Sequence, residues 1–188
     1  PGRTVLVHPW LMLTAVPRIL LTGPPRAGKT TLVSRLADEL SARGVAVGGF
    51  LTREIREDGD RVGFSIQEIA GPHALLAHVT LPEGPAVGRY RVDVAAFEGL
   101  ALPAMQRAAQ RGGVVIIDEL GQMELFSQAF IDSFGQLLDQ PIPLVATVHA
   151  RQHPVTDAIK QRPDTELLEL HPGHADELLT HLTSQLFP

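Results

Sequence analysis

The chain predicts an α/β protein whose central sheet is covered on both faces, and three observations carry that expectation. Short apolar runs of strand length alternate with segments of helical spacing from residue 18 onward. One such run, Arg18–Thr22, leads directly into GPPRAGKT (Gly23–Thr30), a match to the phosphate-binding pattern G-x-x-x-x-G-K-[ST]. Another, Val114–Ile117, ends on the two carboxylates Asp118 and Glu119.

With 188 residues the chain has the size of one domain with a sizeable core. We expect that domain over residues 18–188. Residues 1–17 (PGRTVLVHPWLMLTAVP) read as an N-terminal extension. Their apolar runs Val5–Val7 and Trp10–Leu13 are interrupted by His8 and Pro9, so they suit either an extra strand or an upstream segment, with Met12 a candidate start. A signal peptide would need a longer apolar stretch and a clear small-residue cleavage site.

The elements then follow in order. Arg18–Thr22 is a short apolar run of the kind seen in parallel strands buried on both faces. From Thr30 to Arg43, Leu32, Val33, Leu36, Ala37 and Leu40 recur at helical spacing, and Gly44 can end the helix. Val45–Leu51 and Arg61–Gln67 are strand-like and flank Glu57-Asp-Gly-Asp60, whose Asp-Gly pair predicts an antiparallel β-hairpin inserted into the sheet. Ala74–Val79 and Gly88–Val94 read as two further strands. Phe97–Arg111 reads as a helix that Pro103 either kinks or restarts and that Gly112-Gly113 ends. Val114–Ile117 is wholly β-branched and predicts a central buried strand. Gln128–Leu138 has helical spacing, Leu144–Val148 is another buried strand, and Thr156–Gln161 suits a short helix. Thr165–Leu170 and His174–Leu186 close the chain as a last strand and an amphipathic helix.

Each fixed position of the loop has a physical task. Gly23 and Gly28 can take backbone angles other residues resist, which lets successive N–H groups turn inward as an anion nest. Lys29 brings an ammonium to the β- and γ-phosphates, and the Thr30 hydroxyl can ligate Mg²⁺. The following helix adds the partial positive charge of its N-terminus. A buried strand that ends in a carboxylate is the Walker B pattern, and it delivers Asp118 to the carboxyl edge of the sheet, where ligands of open α/β sheets bind. There Asp118 can hold Mg²⁺ through a water. Glu119 is the natural group to orient the attacking water and take its proton, since water is a poor nucleophile at neutral pH. We therefore expect nucleotide binding by Gly23, Pro24, Pro25, Arg26, Ala27, Gly28, Lys29, Thr30 and Thr31, with Asp118 and Glu119 completing the site. Within that set Lys29 and Glu119 are catalytic, Thr30 and Asp118 hold the metal, and Mg²⁺ is the cofactor.

Composition narrows the partners. The net charge of −5 and the lack of any Lys/Arg run argue against a nucleic-acid footprint. Zero cysteines excludes disulfides, thiol catalysis and Cys-ligated zinc. No apolar stretch reaches the ~18 residues of a membrane span. A cytoplasmic monomer that binds nucleoside triphosphates, ATP and GTP among them, is the expectation.

The motifs GPPRAGKTTL, GGFLTREIREDGDRVGFSI, VGRYRVDV, FEGLALPAM and VVIIDELGQMELFSQAF resemble those of the nucleoside-triphosphatases related to the human cancer-related nucleoside-triphosphatase, over roughly residues 18–160. DELGQMEL is much more specific than the loop. The resemblance implies a P-loop NTPase fold of the RecA-like type, a three-layer sandwich, and slow Mg²⁺-dependent hydrolysis of several NTPs to NDP and phosphate. It places the nucleotide contacts on Gly23–Thr30 and on Val114, Val115, Ile116, Ile117, Asp118, Glu119, Leu120 and Gly121. Two positions depart from the family pattern: Arg26 stands where members often carry glycine, and Pro172-Gly-His174 replaces an asparagine-arginine pair before the last helix.

Other residues admit two readings. Arg53, Arg56 and Arg61 flank the hairpin; one could serve as an internal arginine finger, Arg56 foremost, or all could be solvated. Arg89 and Tyr90 either approach the nucleotide or face a neighbouring strand, and Thr147 either senses the γ-phosphate or is a satisfied strand-end hydroxyl. Glu124 reads as a brace for the loop after Glu119. The eight histidines form no convincing metal set. Two rivals to hydrolysis stay open: a nucleotide or small-metabolite kinase, which also carries GPPxxGKT, and a nucleotide-gated adaptor.

Overall fold

The computed structural model describes residues 16–187; the expected N-terminal extension lies almost wholly outside them. The described chain runs β1 (Arg18–Thr22), α1 (Lys29–Ala42), β2 (Val47–Glu57), β3 (Asp60–Glu68), β4 (His73–His78), β5 (Ala86–Val87), β6 (Tyr90–Val92), α2 (Val94–Arg111), β7 (Val114–Leu120), α3 (Gln128–Leu138), β8 (Leu144–Val148), α4 (Pro154–Lys160), β9 (Glu166–Glu169) and α5 (Ala175–Leu186), with one 3-10 turn at Glu124–Phe126. None of the described helices is long and apolar enough to cross a membrane.

The nine strands of the described residues join one sheet in the order β5-β6-β4-β3-β2-β7-β8-β1-β9. The β2–β7, β7–β8, β8–β1 and β1–β9 pairings are parallel. The β2–β3, β3–β4, β4–β6 and β5–β6 pairings are antiparallel. The hairpin expected around Asp58-Gly59 therefore seeds a larger antiparallel wing, because β4 and β6 continue the same ladder. Strand β2 spans both halves. Val47–Phe50 pair with β7, whereas the strand continues to Glu57 paired with β3.

Period-two alternation divides the core between the two faces. In β7, Val115 and Ile117 face a cluster with Phe97, Met105, Phe130 and Phe134 of α2 and α3. Val114 and Ile116 face Leu32, Leu36, Leu179 and Leu182 of α1 and α5. Four consecutive apolar residues are required because both faces are covered. That gives the expected three layers.

Helix α2 starts earlier than expected, for a local reason. It begins at Val94 instead of Phe97 because the Asp93 side chain accepts from Ala96 N at 2.9 Å as an N-cap. Pro103 neither starts nor restarts that helix but lies inside it. Gly112 ends it in a left-handed conformation at φ 69°, as a C-terminal glycine does.

Candidate active site

Strand β1 feeds the loop and α1 receives it. Gly23 has φ 144°, and a Cβ there would lie 2.5 Å from the Leu170 carbonyl oxygen at the end of β9. Only glycine lets the loop pass so close to that backbone. Gly28, the residue before α1, is left-handed at φ 96° and offers no side-chain cap. The first turn of α1 holds no acidic residue either, so its amide N–H groups have no internal acceptor and stand ready for an anion. Lys29 folds back over the loop and donates from Nζ to the Gly23 carbonyl at 3.1 Å and the Pro24 carbonyl at 3.4 Å. Thr30 and Thr31 are exposed at the start of the helix. Arg26 has φ 64°, the left-handed region in which glycine costs nothing, so a glycine here would relieve strain.

The acids come from β7, which extends through Leu120. Asp118 is 0% exposed, yet its carboxylate is well supplied with donors. Thr147 Oγ1 of β8 donates to Oδ1 at 2.6 Å, and Thr52 Oγ1 of β2 donates to Oδ2 at 3.1 Å. Those two bonds satisfy the buried carboxylate and fix its orientation. No local signal marks Thr52, because its role depends on β2 lying beside β7. Thr147 is a satisfied strand-end hydroxyl on the carboxylate.

Glu119, the next residue, is partly buried. Burial pushes its carboxyl pKa up and the Asp118 charge adds to this, while the Lys29 ammonium opposes both. The chain then turns: Leu125 N donates to the Gly121 carbonyl at 3.1 Å, and Glu124 Oε2 accepts from Gly121 N at 3.1 Å. Glu124 is 3% exposed, and burial, then the charge of Glu119, pushes its pKa up to about 8. The expected brace is thus present as a hydrogen bond.

The arginines of the antiparallel wing are engaged with one another's neighbours. Arg56 donates to Glu54 Oε2 at 2.5 and 3.0 Å and to the Gly59 carbonyl at 3.0 Å. Arg61 donates to Glu54 at 2.7 Å and to Tyr90 Oη at 3.0 Å, and Arg89 donates to the Arg61 carbonyl. Arg89 and Tyr90 therefore face neighbouring strands. Arg53 donates to Gln67 Oε1 at 3.2 Å. Among the described residues no three His, Cys, Asp or Glu side chains gather as a metal cage. A groove of about 470 Å³ between α2 and α3, lined by Leu102, Met105, Gln136 and Gln140 among others, shares no residue with this edge.

The loop, its lysine and the two carboxylates meet one sheet whose β8 separates the loop strand β1 from the acid strand β7. This arrangement defines a RecA-like P-loop nucleotide-binding protein. The sequence profile described as NTPase matches residues 18–183, and the chain belongs to that family. It is 39% identical to the nucleoside-triphosphatase THEP1 of Methanothermobacter thermautotrophicus over 90% of this chain and 95% of that one. It is 35% identical to the human cancer-related nucleoside-triphosphatase over 88% of this chain and 94% of the relative. The crystal structure of THEP1 from Aquifex aeolicus superposes with a TM-score of 0.83 at 36% identity, covering 91% of this chain and 99% of that one.

Proposed function

We propose that the protein hydrolyses nucleoside triphosphates to nucleoside diphosphates and phosphate, with Mg²⁺ and with little preference for the base. The observation that carries this reading is the pairing of an uncapped amide cradle and Lys29 with a buried, oriented Asp118 and a partly buried Glu119 on one sheet edge. The relatives' names, nucleoside-triphosphatase, support the same reaction.

In this mechanism the loop amides and Lys29 bind the β- and γ-phosphates and stabilise the charge that develops as the bond to the γ-phosphorus breaks. Glu119 orients a water toward that phosphorus and takes its proton. The leaving oxygen remains on the diphosphate. Glu119, raised by burial and held down by Lys29, sits closer to neutrality than a free glutamate, which suits a general base.

The residues present fit Mg²⁺. Thr30 and Asp118 supply hard oxygen donors, and Mg²⁺ characteristically takes one or two carboxylates, phosphate oxygens and several waters rather than a protein cage. When bound, the metal neutralises charge on the phosphates. Asp118 is held for that task by Thr52 and Thr147.

A triphosphate bound with its γ end toward Glu119 of β7 would lead its nucleoside to the other side of β1, toward the β9–α5 connection. His171 and His174 are exposed there, with ring centroids 6.3 Å apart. Imidazole faces can stack on any base, which supports broad specificity. Arg56 is the arginine we propose as a finger for the γ-phosphate, a role for which it would have to give up its bonds to Glu54 and the Gly59 carbonyl. The net charge of −5 accords with a protein that has no nucleic-acid partner, and we propose that it acts as a monomer in the cytoplasm.

The test is phosphate release from ATP, GTP, CTP and UTP, with and without Mg²⁺ and with no added acceptor. Release from all four, dependent on Mg²⁺, is expected. Phosphate that appears only with a small-molecule acceptor present would replace this reading with a kinase. For Arg56, a fall in kcat of less than about tenfold in Arg56→Ala removes the finger role, since such arginines are worth ~10³–10⁵.

A further inference from the structure

Glu124 is the most deeply buried ionisable group near the site that the mechanism above does not use. Its carboxylate does more than cap a turn. A Cβ built on Gly121 would lie 2.7 Å from Glu119 Oε1, 3.2 Å from Glu119 Cγ and 2.8 Å from Glu124 Oε2. The two glutamates therefore converge on the same face of one glycine and share the space a single methyl group would fill. Gly121 takes part twice, because its N–H also donates to Glu124 Oε2 at 3.1 Å.

This geometry is short-range and specific. Glu124 opens the 3-10 turn, and Ser127 N donates to its carbonyl at 3.1 Å. Ser127 in turn caps α3 through Phe130 N at 2.9 Å and donates from Oγ to Glu98 of α2 at 2.6 Å. The carboxyl of Glu124 is thus mounted on two helices, while Glu119 hangs from the end of a strand. A group so mounted can hold the other still.

Resting on the assignment of Glu119 as the base, we propose that Glu124 is a positioning residue for Glu119: through Gly121 it forms the wall that fixes the Glu119 carboxylate where it takes a proton from the attacking water. Glu124 itself touches neither nucleotide nor metal in this role. With its pKa pushed up to about 8, Glu124 carries its proton at neutral pH, so the wall does not repel a charged Glu119. A glutamine has the same shape and the same acceptor for Gly121 N–H, and it should substitute.

The experiment uses the full chain and a double-mutant cycle. Steady-state phosphate release from Mg²⁺–ATP is measured for wild type, Glu124→Gln, Glu124→Ala, Glu119→Gln and the double variant Glu119→Gln/Glu124→Ala, with ATP affinity from calorimetry. Glu124→Gln should stay within about threefold of wild type. Glu124→Ala should lower kcat by ~10- to 100-fold, the scale of a misplaced catalytic group, with ATP affinity unchanged. In the Glu119→Gln background it should cost nothing further, because there is no base left to position. A brace for the fold alone would lower kcat by the same factor in both backgrounds, and that result overturns the proposal, as does a Glu124→Gln as damaged as Glu124→Ala. Should Glu124→Ala fail to fold, Gly121→Ala performs the same test by inserting a methyl between the carboxylates. It should likewise lower kcat in the wild-type background and not in Glu119→Gln. If Glu119→Gln alone turns over at the wild-type rate, the base assignment falls and Glu124 falls with it, a failure visible in its own arm.

Discussion

Eight consecutive residues, Gly23–Thr30, make the phosphate loop out of their own backbone. The acidic turn from Asp118 to Glu124 is built from elsewhere: Thr52 of β2 and Thr147 of β8 hold Asp118, and a turn mounted on α2 and α3 holds Glu124. The loop is open and presents free N–H groups to solvent, whereas Asp118 and Glu124 are buried. Anion binding needs many weak donors on a flexible but preformed curve. Orienting a carboxylate needs a few strong contacts in a place water cannot crowd. Substitutions in the loop should therefore act on affinity and charge stabilisation, and substitutions around the turn should act on geometry and stability.

The largest effect is expected at the loop. Lys29→Ala removes the only side-chain cation of the motif's fixed positions. Both nucleotide affinity by calorimetry and kcat should fall, the latter by ~10²–10³ as for loss of one charge-stabilising donor. Affinity left intact would show that the amides alone hold the phosphates. Next comes Glu119→Gln, which should keep affinity and lose ~10²-fold or more in kcat. Wild-type turnover in that variant would sink the general-base role.

Around Asp118 the effect moves to stability. Thr147→Val deletes the 2.6 Å donor to a fully buried carboxylate and should cost about 1.5–3 kcal/mol in urea unfolding, the worth of a hydrogen bond to a charged group. Thr147→Ser should recover most of it. An unfolding midpoint identical to wild type would mean Asp118 is held by Thr52 alone.

Glu124 gives a pH signature. Its pKa is about 8 in the fold against 4.5 when free, so the folded state keeps a proton that the unfolded state releases. Its contribution to stability is greatest below pH 4.5 and is lost as pH rises to about 8. Glu124→Gln should flatten that decline, and the variant should gain on wild type steadily between pH 5 and about 8 in thermal unfolding. Parallel curves would show that Glu124 is already charged in the fold. The smallest effect belongs to Arg26→Gly. Relieving a left-handed arginine should raise stability by no more than about 1 kcal/mol, with kcat unchanged; a loss of stability would show that Arg26 makes a contact worth more than its strain.

Much of the site was legible because the signals are local. The strand–loop–helix around Lys29 needs only neighbours in sequence, and four apolar residues before Asp118 declare a strand covered on both faces. The place of Arg26 was readable as a departure, but its φ of 64° was not. The hairpin turn at Asp58-Gly59 was clear, yet the size of the wing it opens was not, because β4, β5 and β6 are short and their pairing depends on register. The arginines on that wing looked free in sequence and proved to be partners of Glu54 and Tyr90.

Sequence by itself determined an α/β chain with a phosphate cradle, a lysine over it and two acids at the end of a buried strand, since each is encoded in contiguous residues whose backbone and periodicity act alone. Tertiary structure alone decided that Thr52 and Thr147 grip Asp118 and that Glu119 and Glu124 meet across Gly121. Those contacts join residues up to 66 positions apart, and only the alignment of strands β2, β7 and β8 brings hydroxyl and carboxylate within bonding distance.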